Sequence, residues 1–302
     1  MSESILSIKN LTKDFGLERG LFGVSIQVNQ GECYGFLGPN GAGKTTAIRH
    51  MMGFLKPDSG EVLVNGLNPW KQAPEVMRDV SYIPGEIAFP DLATGTDFFK
   101  VQAQFLGVKD FTYMNHLIDL LGLDPSANLK RMSKGMKQKT AIVAALMGDK
   151  KVLIMDEPTT GLDPLMRETF LELIREEKKK GRTIFMSSHI FEEIEDVCDR
   201  VAIIGNGKIK DVLSLYKLRH DTPRMFLITF ANEAAAQEYV NRVPEADLDE
   251  QVKNVVSFAA PAAETDRAIK ATKGLPVVSV DETHEDLEEY FMNIYRKEIR
   301  QS

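Results

Sequence analysis

The stretch CYGFLGPNGAGKTTAIRHMMGFL, Cys33 to Leu55, decides the fold. Its first five residues are a short apolar run, and from Lys44 onward helix-forming residues carry an apolar stripe. Between them Gly38, Pro39, Asn40, Gly41, Ala42, Gly43, Lys44 and Thr45 fill every required position of G-x-x-x-x-G-K-[ST], with Thr46 following on the helix. Strand, glycine-rich loop and helix in that order form the nucleating unit of an α/β fold. Glycine lets backbone amides approach a phosphate, the helix N-terminus adds its positive dipole, and Lys44 brings a mobile cation to the outer phosphates. Thr45 is placed to present its hydroxyl to Mg²⁺.

On the N-terminal side, SILSIKN and FGVSIQV alternate apolar and polar residues between Gly16, Gly20 and Gly23, which predicts antiparallel strands at a sheet edge. On the C-terminal side, VLVNG (Val62 to Gly66) reads as a strand and Asp97 to Leu123 as a helical insertion. A second α/β stretch follows: a helix near Gly135 to Met147, the strand VLIMD (Val152 to Asp156), a helix from Leu165 to Lys180, and the strand TIFMSSH (Thr183 to His189). The continuous apolar character of these strands predicts a sheet covered on both faces. Val201 to Val212, with Asn206-Gly207 at its centre, reads as a hairpin closing a first domain.

Two further features belong with the loop. VLIMDEP ends an apolar strand in Asp156 and Glu157, at the carboxyl edge where α/β proteins bind ligands. Asp156 suits a direct or outer contact to Mg²⁺, and Glu157 suits a general base for an attacking water. Acidic residues at a strand end are otherwise common turn formers. His189 ends the strand TIFMSSH, so it is expected at the same edge, where an imidazole could hydrogen-bond a terminal phosphate or the water. A lone histidine is otherwise a structural one.

Composition narrows the class. Of 302 residues 43% are hydrophobic and 27% charged, which suits a globular chain with one large core and a second small one. A net charge of -7 gives no general basic footprint for nucleic acid. The basic run Lys178 to Lys180 is expected at the carbonyl end of a helix. The longest apolar run, Ala141 to Met147, is far short of the roughly 18 residues of a bilayer span. Cys33 and Cys198 are distant in sequence and form no CxxC pair, so neither a disulfide nor a zinc site is expected. Beyond residue 213 the texture becomes a smaller α+β pattern of two β-α-β-like halves ending in a helix over Glu285 to Arg300.

With these motifs in order, residues 5 to 212 resemble the ATPase domains of ABC transporters. MSKGMKQK, Met132 to Lys139, resembles the family's signature LSGGQ with Ser133 and Gly135 retained, and Gly161-Leu162-Asp163 resembles its D-loop. The resemblance implies an α/β P-loop NTPase with a RecA-like core, an antiparallel β subdomain and a helical subdomain, spanning 1–213, plus a C-terminal accessory α+β domain over 214–302. It implies ATP and Mg²⁺ as ligands, and a head-to-tail pair of subunits in which Ser133 and Gly135 face the γ-phosphate held by the partner. Phe15 sits where the family has an aromatic that stacks on adenine; an ordinary core aromatic on an edge strand is the alternative. Two departures stand out. Lys134 and Met136 replace Gly and Gln in the signature, and SYIPGEIAFPD, Ser81 to Asp91, has Gly85 where a Mg²⁺-contacting Gln is normal, leaving Glu86 as the candidate substitute.

What the resemblance implies about purpose is the energy-coupling subunit of a transporter, of the exporter type handling drugs and peptide antibiotics. Its transmembrane permease subunits would be separate chains, and it would work as a peripheral protein at the cytoplasmic face of the cell membrane. Phe89, Phe98 and Phe99 are candidates for a groove receiving the permease. A translation factor would carry two cassettes, and a DNA-maintenance ATPase a long heptad insertion; the sequence shows neither pattern.

Overall fold

The computed structural model describes residues 4–221, 224–249, 252–260, 265–283, 286–292 and 294. The chain divides into two compact units, Met1–Leu213 and Ser214–Ser302.

The first unit opens with β1 (Ser4–Asp14), β2 (Gly20–Asn29) and β3 (Cys33–Leu37), followed by α1 (Lys44–Met51) and β4 (Ser59–Val64). Next come α2 (Ala73–Asp79), β5 (Val80–Ile83), α3 (Gly95–Leu106), α4 (Thr112–Leu120) and α5 (Lys134–Leu146). The unit finishes with β6 (Val152–Asp156), α6 (Pro164–Lys179), β7 (Thr183–Ser188), α7 (Phe191–Val197), β8 (Arg200–Gly205) and β9 (Lys208–Ser214). The alternating N-terminal strands form their own antiparallel sheet, β2-β1-β4, rather than the edge of the main one. The main sheet has six strands in the order β5-β6-β7-β3-β8-β9, and its β5/β6, β6/β7, β7/β3 and β3/β8 pairings are parallel. Every residue of β3, β6 and β7 is buried, as expected of strands covered on both faces. Asn206 and Gly207 both take positive φ (51° and 69°), the primed-turn geometry that lets β8 reverse into β9 in two residues.

The core of this unit joins the two sheets through α1. Leu6, Ile8 and Leu11 of β1, Val24 and Val28 of β2, Tyr34 and Phe36 of β3, and Ala47, Ile48 and Met51 of α1 belong to one buried cluster. Each fully buried Leu, Ile, Val, Phe or Met among them contributes roughly 1.5–3 kcal/mol relative to exposure.

The helical insertion is two helices. Thr94 caps α3 by accepting from the Asp97 amide, and Gly107, at φ 69°, ends it in a left-handed turn that an L side chain would resist. The basic run falls where expected: Lys178 and Lys179 close α6, Lys178 pairs with Asp199 at 2.7 Å and Lys180 with Glu177 at 2.6 Å. The elements α2, β5 and α7 have no counterpart in the sequence reading. Cys33 and Cys198, 165 residues apart, are brought to an Sγ–Sγ distance of 3.6 Å as free buried thiols.

The second unit contains α8 (Leu215–Asp221), β10 (Arg224–Phe230), α9 (Glu233–Arg242), β11 (Asp247–Leu248), β12 (Val255–Ala260), α10 (Thr265–Ala271) and β13 (Val277–Thr283). Its four strands pair in the order β11-β12-β10-β13. This is the β-α-β-β-α-β arrangement of ferredoxin-like units. The two β-α-β halves therefore interleave within one sheet instead of standing side by side. Phe226, Ile228 and Phe230 of β10 pack with Val256 and Phe258 of β12 and Tyr239 of α9 into a separate core. The closing helix expected over 285–300, apolar at Leu287, Tyr290, Phe291, Ile294 and Tyr295, lies largely outside the described residues; residues 287–292 are helical and Leu287 is buried.

Candidate functional site

Register brings the site together. Strand β7 lies between β3 and β6, with Leu37 opposite Ser188 and Asp156 opposite Ser187. The loop after β3, the turn after β7 and the acidic pair at the end of β6 therefore stand abreast at one sheet edge.

The loop Gly38–Gly43 is shaped by close approach. A Cβ on Gly38 would lie 2.3 Å from the Ile204 carbonyl oxygen, and one on Gly43 would lie 2.7 Å from Leu21 while φ there is 110°. Buried Ala42 ties the loop to the β8–β9 turn, its carbonyl accepting from the Gly207 amide at 3.0 Å, and its own amide donates to Pro39. Helix α1 begins with no side-chain cap and no acidic residue in its first turn, so its terminal amides are left for an anion.

Beneath this edge lies a cavity of about 930 Å³ lined by Phe15, Asn40, Gly41, Gly43, Lys44, Thr45, Thr46, Glu86, Asp156 and Glu157. Buried Lys44 donates to the carbonyls of Gly38 (2.6 Å) and Pro39 (3.2 Å) and pairs with Glu157 Oε1 at 3.1 Å. On its other oxygen Glu157 meets His189 Nδ1 at 3.4 Å. Glu157 takes φ 47°, a left-handed conformation costing a non-glycine residue about 1–3 kcal/mol. Its amide donates to both the carbonyl (3.2 Å) and the hydroxyl (3.0 Å) of Ser187, which hold that conformation.

Asp156 is 1% exposed. Its Oδ1 accepts from Ser187 Oγ at 2.7 Å, while Oδ2 is buried with no hydrogen-bond partner. An orphaned carboxylate oxygen on the cavity that Thr45 also lines fits an oxygen-seeking divalent cation. Tyr82 registers the same negative charge: burial, then Asp156, push its hydroxyl pKa up to about 12 against the opposing pull of Arg49.

Phe15 is 56% exposed, which overturns the core-aromatic alternative, and Lys13 Nζ stands 5.8 Å from its ring centre. Gly85 approaches Asp156 so closely that a Cβ would sit 3.1 Å from Oδ2, and exposed Glu86 borders the cavity beside it. Ser133 and Gly135 do not line the cavity. Ser133 caps α5, its hydroxyl accepting from the Met136 amide at 3.2 Å, and Gly135 packs so tightly on Gly161 that a Cβ would fall 2.9 Å from its carbonyl. The two signature residues are thus set at an exposed helix start beside the Gly161–Asp163 loop.

Sequence reasoning missed Arg19, Arg49 and Lys134, which bring cations to the cavity wall, and Ser187, which positions both acids. Arg49 was within reach, one helical turn after Thr45 on the same face. In the helical part, Phe98 is core with Phe89 edge-on at 4.9 Å, while Phe99, Phe111, Met114 and Ile118 line a separate apolar cavity of about 380 Å³.

The family model described as ABC transporter matches residues 21–160. The bacitracin transport ATP-binding protein BcrA of Bacillus licheniformis is 31% identical over 299 residues, covering 96% of this chain and 97% of that protein. The linearmycin resistance ATP-binding protein LnrL of Bacillus subtilis (strain 168) is 29% identical over 312 residues, covering 98% and 100%. A solved ATP-binding subunit of an ABC transporter superposes with a TM-score of 0.64 at 32% identity, covering 72% of this chain and 93% of that one.

Proposed function

The chain belongs to the ABC transporter family as an ATP-binding and ATP-hydrolysing subunit, and from that premise we propose that it drives export through transmembrane subunits carried on separate chains. The observation that carries the reading of the site is the position of Glu157, held between Lys44 Nζ and His189 Nδ1 at the mouth of the phosphate loop.

The loop amides from Gly38 to Thr45 and the start of α1 cradle the phosphates, with Thr46 at their flank. Lys44 exchanges its contact with Glu157 for the outer phosphates, which frees the carboxylate to accept a proton from the attacking water. His189 holds the terminal phosphate or that water from the other side. Phe15 stacks on adenine. Thr45 and the free Oδ2 of Asp156 are the oxygens that would hold Mg²⁺, with Glu86 in place of the missing Gln. Bound there, the cation would neutralise charge developing on the phosphate oxygens. Ser133 and Gly135, displaced from this chain's own cavity, are assigned to the nucleotide of a second copy, so that ATP closes a dimer and hydrolysis reopens it.

Among the described residues no helix is long and apolar enough to cross a membrane. The place we assign, from the family and the membrane-transport role of its relatives, is peripheral on the cytoplasmic face. The apolar cavity at Phe99, Phe111, Met114 and Ile118 is assigned to a short helix of the permease. Two near full-length relatives, named for bacitracin transport and linearmycin resistance, support an antibiotic-like cargo.

The decisive experiment is Glu157→Gln, which keeps the shape and removes the base. ATP binding is expected to persist, turnover to fall about a hundredfold or more, and an ATP-dependent dimer to accumulate in size-exclusion chromatography. Turnover at the normal rate would show that Glu157 is not the base.

A further inference from the structure

A buried carboxylate behind the site has been given no part in it. Glu193, in the first turn of α7, is 1% exposed. Its Oε2 accepts from Ser188 Oγ at 2.9 Å, and the same Oγ accepts from the Ile190 amide at 2.9 Å. The Ser188 carbonyl accepts from the amide of Gly38, the first residue of the phosphate loop, at 3.4 Å. The residues on both sides of His189 are therefore fixed through one hydroxyl whose proton goes to Glu193. His189 itself is 44% exposed in its side chain, so its placement depends on the turn that carries it.

On the other oxygen, Arg167 Nε stands 3.3 Å from Oε1, an ion pair whose geometry falls short of a hydrogen bond. Arg167 belongs to α6, and its amide donates to the Asp163 carbonyl at 3.0 Å. Glu193 thus joins three pieces: the His189 turn, the start of the phosphate loop and the first turn of α6 behind the Gly161–Asp163 loop. Burial pushes its carboxyl pKa up, opposed by hydrogen bonds from Thr159 and Ser188 and by the charges of Arg167 and His189. A buried acid is costly to keep without a role for it.

We propose that Glu193 is a positioning residue for ATP hydrolysis, locking the Ser188–Ile190 turn so that the His189 imidazole stands against Glu157 and the terminal phosphate. The inference rests on the reading of Glu157 and His189 as the hydrolytic pair. Glu193 does not line the cavity; it acts through Ser188. Misplacing a reacting group by about 1 Å costs up to about a hundredfold in rate, and His189 is the group that would drift.

The test is steady-state ATPase kinetics of the full chain carrying Glu193→Ala, Glu193→Gln, Ser188→Ala and His189→Ala, singly and in pairs. Glu193→Ala and Ser188→Ala are each expected to lower kcat between about tenfold and a hundredfold, with KM within about twofold of the unmodified chain. Glu193→Gln keeps an acceptor for Ser188 and is expected to recover most of that loss. Combined with His189→Ala, either substitution is expected to add little, because both act on the same imidazole. Full additivity with His189→Ala, or an unchanged kcat in both Glu193→Ala and Ser188→Ala, overturns the proposal. Should Glu193→Ala fail to fold, Ser188→Ala carries the same test with a smaller perturbation. Glu157→Gln assayed alongside separates the two readings: if it hydrolyses normally, the assignment of the base falls, whereas an inactive Glu157→Gln beside fully active Glu193 and Ser188 variants removes this inference alone.

Discussion

Gly85 and Glu86 show how a single position redistributes the work of a site. Where the resemblance leads one to expect a glutamine, the backbone at Gly85 runs so close to Asp156 that a Cβ would meet Oδ2 at 3.1 Å. That oxygen is buried without a hydrogen-bond partner, so the cavity leaves a charge to be met and one ligand fewer than usual to share it. Glu86, exposed at the cavity rim, is the oxygen donor next in line. Glu86→Ala is expected to raise the Mg²⁺ concentration for half-maximal turnover by about tenfold, the scale of losing a supporting ligand. A titration of ATPase rate against Mg²⁺ checks it, and superimposable curves would remove Glu86 from the metal site. At this scale the sequence was most legible where chemistry is local: loop, lysine, threonine and the acidic pair all follow from one motif and one strand end. Glu193 was illegible, because in FEEIED it reads as one of several solvated acids on a helix. Only the pairing of Leu37 with Ser188 and the fold of α7 turn it inward. Phe15 left two readings open in the sequence, an aromatic for adenine or a core aromatic on an edge strand, and its exposed ring on the cavity removes the second.

Elements were legible in proportion to their length and regularity. Strand β6 falls on the residues its pattern predicts, because a short continuous apolar run ending in turn-forming residues suits a fully buried strand. Helix α9 starts at a cap, with Asn232 accepting from the Ala235 amide at 2.9 Å. In contrast α2, β5 and α7 have seven, four and seven residues. At that length the periodicity spans two turns or fewer and tertiary pairing makes the decision, as β5 shows by existing only as an edge strand beside β6. Helix α1 carries a further consequence. His50 is 2% exposed, and its Nδ1 donates to the Thr46 carbonyl at 2.7 Å. Burial, the largest effect, and Lys13 hold its pKa below the ordinary 6.5, against the carbonyls of Thr46 and Lys56 and the charge of Asp58. The folded chain therefore keeps the ring neutral where the unfolded chain would protonate it. Stability from this group is present above about pH 6.5 and is lost as pH falls through the folded pKa, since the unfolded state then binds more protons. Thermal unfolding is expected to shift to lower temperature between pH 7.5 and pH 5.5, and His50→Gln to flatten part of that slope. Parallel slopes in the two proteins would show that His50 contributes nothing to acid sensitivity.

At the scale of the whole molecule the division of the chain carries the functional argument. The phosphate loop, the acidic pair, His189 and the cavity all lie within Met1–Leu213, and their supporting core draws on β1, β2, β3 and α1 of the same unit. The second unit has its own sheet and its own buried cluster around Phe226, Ile228, Phe230 and Tyr239. Two cores of this kind are the mark of separately folding domains. We propose that 1–213 is the ATPase domain and 214–302 an accessory domain, and truncation tests whether the latter helps hold the subunit in its transport complex. A chain ending at Leu213 is expected to unfold in one cooperative thermal transition and to bind Mg-ATP within about threefold of the full chain's affinity, since additivity holds for distant, independent sites. Its recovery with the membrane subunits after detergent extraction is expected to fall. Loss of cooperative unfolding or of nucleotide affinity by more than about tenfold would make the second unit part of the nucleotide-binding fold. Undiminished recovery with the membrane subunits would instead leave the second unit without the assembly role.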